Sequence, residues 1–291
     1  MKDSPYTISF LRAQDMPEVH QTFLKAFADY FVPIQLTEEQ FYTKLKRESI
    51  EPTFCVGAYE GANLVGFILT GIGNYNQKPT GYNAGTGVVP EHRGHGLTKK
   101  MYDHLLIKLK QSGMEQCLLE VIQENTPALK SYEAIGLKIT RSLDCFRAKK
   151  DDLLLNVSLP ENIKIAQVSK PDWVNYSHFC DVAPTWQNTS GAIVRSPDEK
   201  VVLEARDAGD ELVGYAAFFP KTGAIAQFAV VPAFRGEGIG KALLKEVKNL
   251  TIAPALMLLN VDTEAVAFIS FLKRRNFTRF LGQFEMIMAL E

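Results

Sequence analysis

One segment of this chain occurs twice. Gly87-Val88-Val89-Pro90-Glu91-His92-Arg93-Gly94-His95-Gly96-Leu97-Thr98 is matched by Ala229-Val230-Val231-Pro232-Ala233-Phe234-Arg235-Gly236-Glu237-Gly238-Ile239-Gly240, and both contain Val-Val-Pro-x-x-Arg-Gly-x-Gly. The copies stand 142 positions apart at Arg93/Arg235 and 140 apart at Glu124/Glu264, so the halves stay in step over several elements. A duplicated module constrains the fold strongly, because each copy is expected to build the same supersecondary unit. The 291 residues suit two such modules, since single cores stop growing short of roughly 300 residues. Two domains are expected, 1–150 and 151–291, joined near Asp151 to Asn162, where charges and a Pro follow the last strand of the first half.

Each motif leads into an amphipathic helix. Leu97, Met101, Leu105, Leu106 and Leu109 recur at helical spacing in one copy, and Ile239, Leu243, Leu244, Val247 and Leu250 in the other. Apolar runs of strand length follow, Cys117 to Ile122 and Ala255 to Val261. Each leads to a helix starting near Glu124 or Glu264 and ending at Gly136-Leu137 or Asn276-Phe277, where Gly and Asn tolerate a left-handed cap. Upstream, the first half reads strand (Thr7 to Leu11), helical stretch (Met16 to Tyr30, then Thr37 to Ser49) and hairpin (Thr53 to Tyr59 against Asn63 to Thr70). The second half repeats the order with Ile163 to Ala166, Pro171 to Val182, and Val201 to Ala205 against Leu212 to Phe219. Both halves are mixed α/β.

Composition narrows the function classes. An apolar fraction of 46% supports a sizeable core and excludes disorder. The balance of 32 Lys+Arg against 33 Asp+Glu argues against nucleic-acid binding, which needs a clustered basic surface. Cys55, Cys117, Cys145 and Cys180 stand far apart without metal-ligand spacing, so no metal is expected and a reducing cytoplasm fits. Neither a signal peptide nor a membrane span is visible. Oligomeric state is not legible.

The glycine turn carries the chemistry. A strand that ends at Val-Pro and turns through Arg-Gly-x-Gly into a helix presents several backbone N–H groups at the positive end of a helix dipole. Glycines let an anion approach that backbone, which suits a pyrophosphate; the competing reading is a turn that is glycine-rich for steric reasons alone. A Walker A loop would need Gly-Lys-Ser/Thr, which is missing, and Gly236-x-Gly238-x-Gly240 has the wrong spacing for a dinucleotide fingerprint.

These residues resemble the GNAT superfamily of acyl-CoA-dependent N-acyltransferases, whose pyrophosphate motif is Arg/Gln-x-x-Gly-x-Gly/Ala. Arg235 to Gly240 satisfies it fully, and Arg93 to Thr98 does so with Thr in the last place. The family's Glu-Asn-x-x-Ala-x-x-x-Tyr-x-x-x-Gly-Phe hallmark is similar to Glu124-Asn125-Thr-Pro-Ala128-Leu-Lys-Ser-Tyr132-Glu-Ala-Ile-Gly136-Leu137. The resemblance covers nearly the whole chain as two tandem copies. It implies two GNAT domains, each a mostly antiparallel mixed sheet flanked by helices, with acetyl-CoA as co-substrate. The residues it assigns to the cofactor are Gly87, Val88, Arg93, Gly94, His95, Gly96, Leu97, Thr98 and Asn125 in the first half. In the second they are Val230, Arg235, Gly236, Glu237, Gly238, Ile239, Gly240 and Lys241.

Amide formation from an amine and a thioester requires the amine to lose a proton, the carbonyl to be polarised and the thiolate to be protonated. Glu120 at a strand end and Tyr132, 12 residues on, resemble the base and acid of ribosomal-protein alanine acetyltransferases. Asn260 and Leu272 occupy the corresponding places in the second half and cannot transfer a proton. The expectation is that Glu120 is the general base, Tyr132 the general acid, and the Val88 N–H the donor to the carbonyl where the strand splays at Gly87. A solvated or paired carboxylate and an amphipathic packing Tyr are the bland alternatives. For the second domain three readings stay open: structural support, CoA binding, or catalysis by proximity. The acceptor is expected to be a small-molecule amine or a protein N-terminus or lysine. Candidate contacts are Asp29, which would hold a cationic amine, its neighbour Tyr30, and Tyr82 in the Gly/Asn/Tyr-rich segment Gly71 to Gly85, read as either a long acceptor-wall loop or a plain connector. A noncatalytic acyl-CoA-binding or sensing module is the alternative from another class.

Overall fold

The computed structural model describes residues 5–29, 35–156 and 160–291. The chain forms two compact units, Met1–Thr140 with Phe284–Glu291, and Arg141–Gln283. Along the chain come β1 (Tyr6–Phe10), α1 (Met16–Ala26), α2 (Glu38–Arg47), β2 (Val56–Glu60), β3 (Asn63–Tyr75), β4 (Lys78–Val88), α3 (Leu97–Gln111), β5 (Gln116–Ile122), α4 (Thr126–Ile135) and β6 (Lys138–Lys149). They continue with β7 (Lys164–Gln167), α5 (Trp173–Tyr176), α6 (Ser190–Arg195), β8 (Val201–Arg206), β9 (Leu212–Phe219), β10 (Ala224–Val230), α7 (Ile239–Leu250), β11 (Ala255–Asp262), α8 (Val266–Lys273) and β12 (Thr278–Ala289). The helical stretch expected over Pro171 to Val182 shrinks to the single turn of α5.

The units differ from a cut at 150/151. In the first, the strands lie in the order β1-β2-β3-β4-β5 followed by the part of β12 from Phe284 on, and in the second β6-β11-β10-β9-β8-β7. Most of β6 thus serves the second unit, where it runs antiparallel to β11 from Ala255↔Lys149 to Asp262↔Leu143. The end of β12 takes the place beside β5, with the Leu290 amide donating to the Glu115 carbonyl at 2.8 Å. Because the halves are duplicates, each ends in a strand that suits either sheet, and sequence pattern alone does not say which neighbour a strand takes.

Period-2 alternation puts helices on both faces of each sheet. In β3, Phe67 and Leu69 pack with Val19 and Phe23 of α1 and Phe41 of α2, whereas Ile68 between them packs with Met101, Leu105 and Leu109 of α3. In the second unit, Leu203 of β8 faces Leu243 and Val247 of α7, and Val202 faces Tyr176 and Ile193. Each such aliphatic side chain contributes about 1.5–3 kcal/mol by leaving water. Cys55 and Cys117 are fully buried, and burial pushes each thiol up to about 12, the environment of inert apolar filler.

The segment from Gly71 to Gly85, expected as a long loop or connector, is a regular hairpin. Only Asn76 and Gln77 separate β3 from β4, at φ of 50° and 64°. Two successive left-handed residues make the turn whose twist matches paired strands. Close packing accounts for two of its glycines: a Cβ on Gly71 would lie 2.2 Å from the Glu48 carbonyl oxygen, and one on Gly81 2.7 Å from Leu109. Gly71→Ala should therefore lower stability by about 1–3 kcal/mol, read as a drop in thermal midpoint, and an unchanged midpoint would contradict this packing.

Candidate active site

In both units the sheet opens where a parallel strand pair stops. β4 and β5 pair only from Thr80↔Gln116 to Asn83↔Leu119, although both strands continue. A register shift between β3 and β4 at Leu69/Thr70 leaves Ala84 as an extra residue just beyond that point. Bulges add local twist and bend the strand that carries them, which turns β4 away from β5. The second unit repeats this: β10 meets β11 at Ala224↔Met257, and a register shift between Ile225 and Gln227 follows at once.

Beyond the bulge, β4 still pairs with β3. The Val89 N–H bonds the Val65 carbonyl at 2.9 Å, and antiparallel residues alternate between facing their partner and facing away. Val88 therefore directs its N–H away from β3, on the side where β5 has departed. Val230 is placed identically, because the Val231 N–H bonds Val213 at 2.9 Å.

Next comes the glycine turn. Gly94 and Gly96 have φ of 81° and 69°, and a Cβ at either would meet nothing within 4 Å. Gly236 and Gly238 match them at 93° each. Gly96 and Gly238 are the N-cap residues of α3 and α7, and neither helix start has a side-chain cap. By contrast, Thr37 caps α2 and Asn125 caps α4. The first-turn N–H groups of α3 and α7, which no intrahelical acceptor reaches, thus face open space at a dipole's positive end, the fit an anion requires. The side chains of Leu97 and Ile239 are core, so only their backbone can face a ligand. Thr98 and Gly240 are partly buried, and His95 and Glu237 are exposed in the turns.

Several expected contacts do other work. Arg93 Nε donates to the Val88 carbonyl at 3.1 Å, and its two terminal nitrogens reach Asp29 at 2.6 and 2.8 Å. Arg235 does the same with the Val230 carbonyl at 2.8 Å and Asp181 at 2.9 and 3.0 Å. The two arginines fasten the turns to the end of the first helical stretch, and Asp29, expected to hold a cationic amine, is one partner in this fastening. Its carboxyl sits below the usual range because of Arg93. Phe27-Ala28-Asp29 and Phe179-Cys180-Asp181 carry the signal in sequence, a repeated Phe-x-Asp. Gly87 answers a steric demand, since a Cβ there would lie 2.8 Å from Phe67 and 2.9 Å from Ala26. Asn125 Oδ1 accepts from the Ala128 N–H at 3.2 Å as a helix cap, not shown as a cofactor contact. Lys241 Nζ donates to the Asn156 carbonyl at 3.1 Å. Tyr30 lies outside the described residues.

Glu120 is the first residue of β5 past its pairing with β4. Tyr82, expected on an acceptor wall, is buried and donates its hydroxyl to Glu120 Oε2 at 2.6 Å. Oε1 is shut off from solvent with no hydrogen-bond partner among the described residues. Burial chiefly raises the carboxyl to about 7, against the opposing Tyr82 hydrogen bond. Tyr132, on α4, is 8% exposed and packs its ring edge-on to Tyr102 at 5.9 Å. Glu285 and Glu48, missed in the sequence, also bear on Glu120; an acid between Phe284 and Met286 in an alternating strand was the available signal for Glu285.

In the second unit, a cavity of about 420 Å³ occupies the opening between β10 and β11 and is lined by Val230, Gly236, Gly238, Asn260 and Phe268 among others. Asn260 stands in Glu120's place with φ 58°, and Phe228, Phe268 and Phe271 stack along one wall with centroids 5.8–6.2 Å apart. Among the described residues no three His, Cys, Asp or Glu side chains are grouped to hold a metal, and no helix is long and apolar enough to cross a membrane.

Two splayed mixed sheets with a glycine-lined helix start at each opening define a tandem acyltransferase scaffold. The model of the acetyltransferase (GNAT) family matches residues 18–137 and 164–277, and the chain belongs to that family. It is similar to a mycothiol acetyltransferase of Catenulispora acidiphila, 28% identical over 115 residues, 38% of this chain and 37% of that one. It is also 28% identical over 106 residues to N-alpha-acetyltransferase MAK3 of Arabidopsis thaliana, 34% of this chain and 56% of the plant protein. These matches thus span about a third to a half of the curated relatives. Over nearly full length, its fold resembles a tandem GNAT protein from the clavulanic acid biosynthesis pathway, with TM-score 0.72, 14% identity and 98% and 99% of the two chains covered. A GCN5-related N-acetyltransferase from Sphaerobacter thermophilus gives TM-score 0.73, 17% identity and 100% and 98% coverage.

Proposed function

We propose that the chain is an acetyl-CoA-dependent N-acetyltransferase whose chemistry takes place in the first unit. The observation that carries the reading is the Glu120 carboxylate at the β4/β5 opening: one oxygen is held by Tyr82, the other is buried with no hydrogen-bond partner among the described residues, and burial pushes the carboxyl up to about 7. A base works best when its pKa lies near the working pH. The first-turn amides of α3 and the turn of Gly94 and Gly96 hold the diphosphate, and the Val88 N–H polarises the thioester carbonyl. Glu120 Oε1 takes a proton from the acceptor amine as its N–C bond forms. The C–S bond breaks, and Tyr132 protonates the departing thiolate. The acceptor is a primary amine, of a small molecule or of a protein N-terminus or lysine.

A thiol-release assay over a panel of amines tests this. Tyr132→Phe should lower turnover at least about tenfold with CoA affinity little changed; equal turnover would remove Tyr132 from the mechanism. A second reading concerns the other unit. Its helix start is as open as the first, and it encloses a cavity of about 420 Å³. Asn260 and Leu272, where the first unit has Glu120 and Tyr132, leave it without the proton-transfer pair. This favours a noncatalytic acyl-CoA site there.

A further inference from the structure

We infer that the cavity of the second unit is a blind pocket for an acyl-CoA thioester. The side from which an amine would reach the bound acyl group is shut by a strap, residues 183–188, that bridges the two splayed strands. The inference rests on the reading of that cavity as a noncatalytic acyl-CoA site. Such a pocket holds the thioester out of reach of nucleophiles.

The opening between β10 and β11 has two faces. Phe228 packs with the core that holds Leu243 and Val247 of α7 and Leu272 of α8, so the phenylalanine stack and the α7 start share one face. Its neighbour Gln227 turns to the other by strand alternation. There Gln227 Oε1 accepts from the Tyr215 hydroxyl at 2.9 Å, and Tyr215 packs with Tyr176 and Ile193. A diphosphate at Gly236 and Gly238 brings the acyl arm in from the first face. With α7, α8 and the arm on that side, an incoming amine has only the second face to use, and that face is bridged. Gln227, the first residue of β10 past its bulge, donates from Nε2 to the Asn188 carbonyl at 2.7 Å. Asn188 in turn donates from Nδ2 to the Leu259 carbonyl of β11 at 2.9 Å, two residues past the parallel pair Ala224↔Met257. One buried residue thus spans the gap. Arg141 ties down the other end of the strap, donating to the Ala183 carbonyl at 2.8 Å and to Asp262, at the end of β11, at 3.4 Å. Ala183 and Asn188 both line the cavity, so the strap is its floor.

The first unit differs at the corresponding place. The pair Leu69↔Gly85 matches Ala217↔Gln227, each next to the bulge, so Gly85 stands where the second unit has Gln227. A Cβ on Gly85 would meet only the Phe23 ring, at 4.0 Å. No side chain reaches out from that position, and open space lies beside it. The unit that carries Glu120 and Tyr132 is therefore open where the unit with Asn260 and Leu272 is bridged. Both differences have the same sense, because a site shut to amines needs neither a base nor an acid. Its volume of about 420 Å³ suits a small-molecule ligand, and an ester enclosed away from water and nucleophiles is spared side reactions.

Hydroxylamine tests the pocket, because it attacks acetyl-CoA without a catalyst. Its nitrogen bonds to the carbonyl carbon, the C–S bond breaks, an N–H proton passes to solvent, and acetohydroxamate and CoA thiolate result; the hydroxamate is read by its colour with iron(III). The full chain carries Gly96→Val, so that the first turn does not compete. Calorimetry with acetyl-CoA, with and without Gly238→Val added, identifies binding in the second unit. With protein about tenfold above the Kd so measured, about nine-tenths of the ester is bound, and its reaction should slow about tenfold. Gln227→Gly, which copies the first unit, and Asn188→Ala each remove one hydrogen bond of the bridge. In either, the rate at saturating protein, which reports the bound ester alone, should rise about fivefold, the effect of one net hydrogen bond on the opening of the strap. The Kd for acetyl-CoA should stay nearly the same, since neither side chain lies at the α7 start. A bound ester that reacts at its free rate overturns the blind pocket and leaves the acyl-CoA reading standing. Shielding undiminished in both variants overturns it as well, because the bridge is then not the barrier. Should Gln227→Gly fail to fold, Asn188→Ala decides alone. If no binding is lost on adding Gly238→Val, the acyl-CoA reading of this cavity itself fails, and the inference with it.

Discussion

Glu120→Gln should reduce kcat/KM by about 10²–10⁴, the usual contribution of a positioned general base. The substitution preserves size and leaves an acceptor for the Tyr82 hydroxyl, so the loss reports chemistry and not collapse. The pH dependence makes the assignment sharper. A base must be ionised to accept a proton, and burial pushes the Glu120 carboxyl up to about 7. The parent's kcat/KM should therefore be full above that value and fall tenfold per unit below it. In Glu120→Gln this limb should vanish, leaving a low, flat profile. Rates measured from pH 5 to 9 with one accepted amine check both points; a limb that persists in the variant would assign it to another group.

The second large effect concerns the two helix starts. Gly96→Val and Gly238→Val each place a β-branched side chain at a left-handed position, φ 69° and 93°, a conformation that costs non-glycine residues about 1–2 kcal/mol or more. The chain should relieve that strain by rotating the turn, which moves the amides away from the diphosphate. We expect CoA affinity at the altered site to drop at least about tenfold, since these are the donors that hold it. Calorimetric titration of the parent and both variants would then count the sites: loss in Gly96→Val alone means one occupied turn, and a separate loss in each means two. Undiminished binding in both would refute the diphosphate assignment altogether.

What was legible in the sequence follows from which interactions are local. The repeated Arg-Gly-x-Gly fixed both turns, because positive φ at a helix start is a requirement written in the residues themselves. The strand bearing Glu120, which runs on to Ile122 rather than ending there, and the helix bearing Tyr132 are equally clear, as are the left-handed ends at Gly136 and Asn276, with φ of 112° and 66°. What escaped depends on partners distant along the chain. The ties of Arg93 to Asp29 and of Tyr82 to Glu120 span 64 and 38 positions, and nothing in the residue types says which donor meets which carboxylate. The hairpin of Gly71 to Gly85 was obscured by its glycines, which serve the close approach of Glu48 and Leu109 rather than a loop. The exchange of β6 and β12 was hidden for the opposite reason: two strands of equivalent pattern offer no local basis for choosing between sheets.

That exchange has an outcome for biosynthesis. A ribosome delivers β5 long before it delivers Phe284–Glu291, so the nascent first unit waits, with one sheet border bare, until the second has been translated. That border includes Cys117, Leu118 and Leu119, the kind of apolar edge that recruits stray strands. Glu285, buried in the finished unit, arrives with the strand that covers that border.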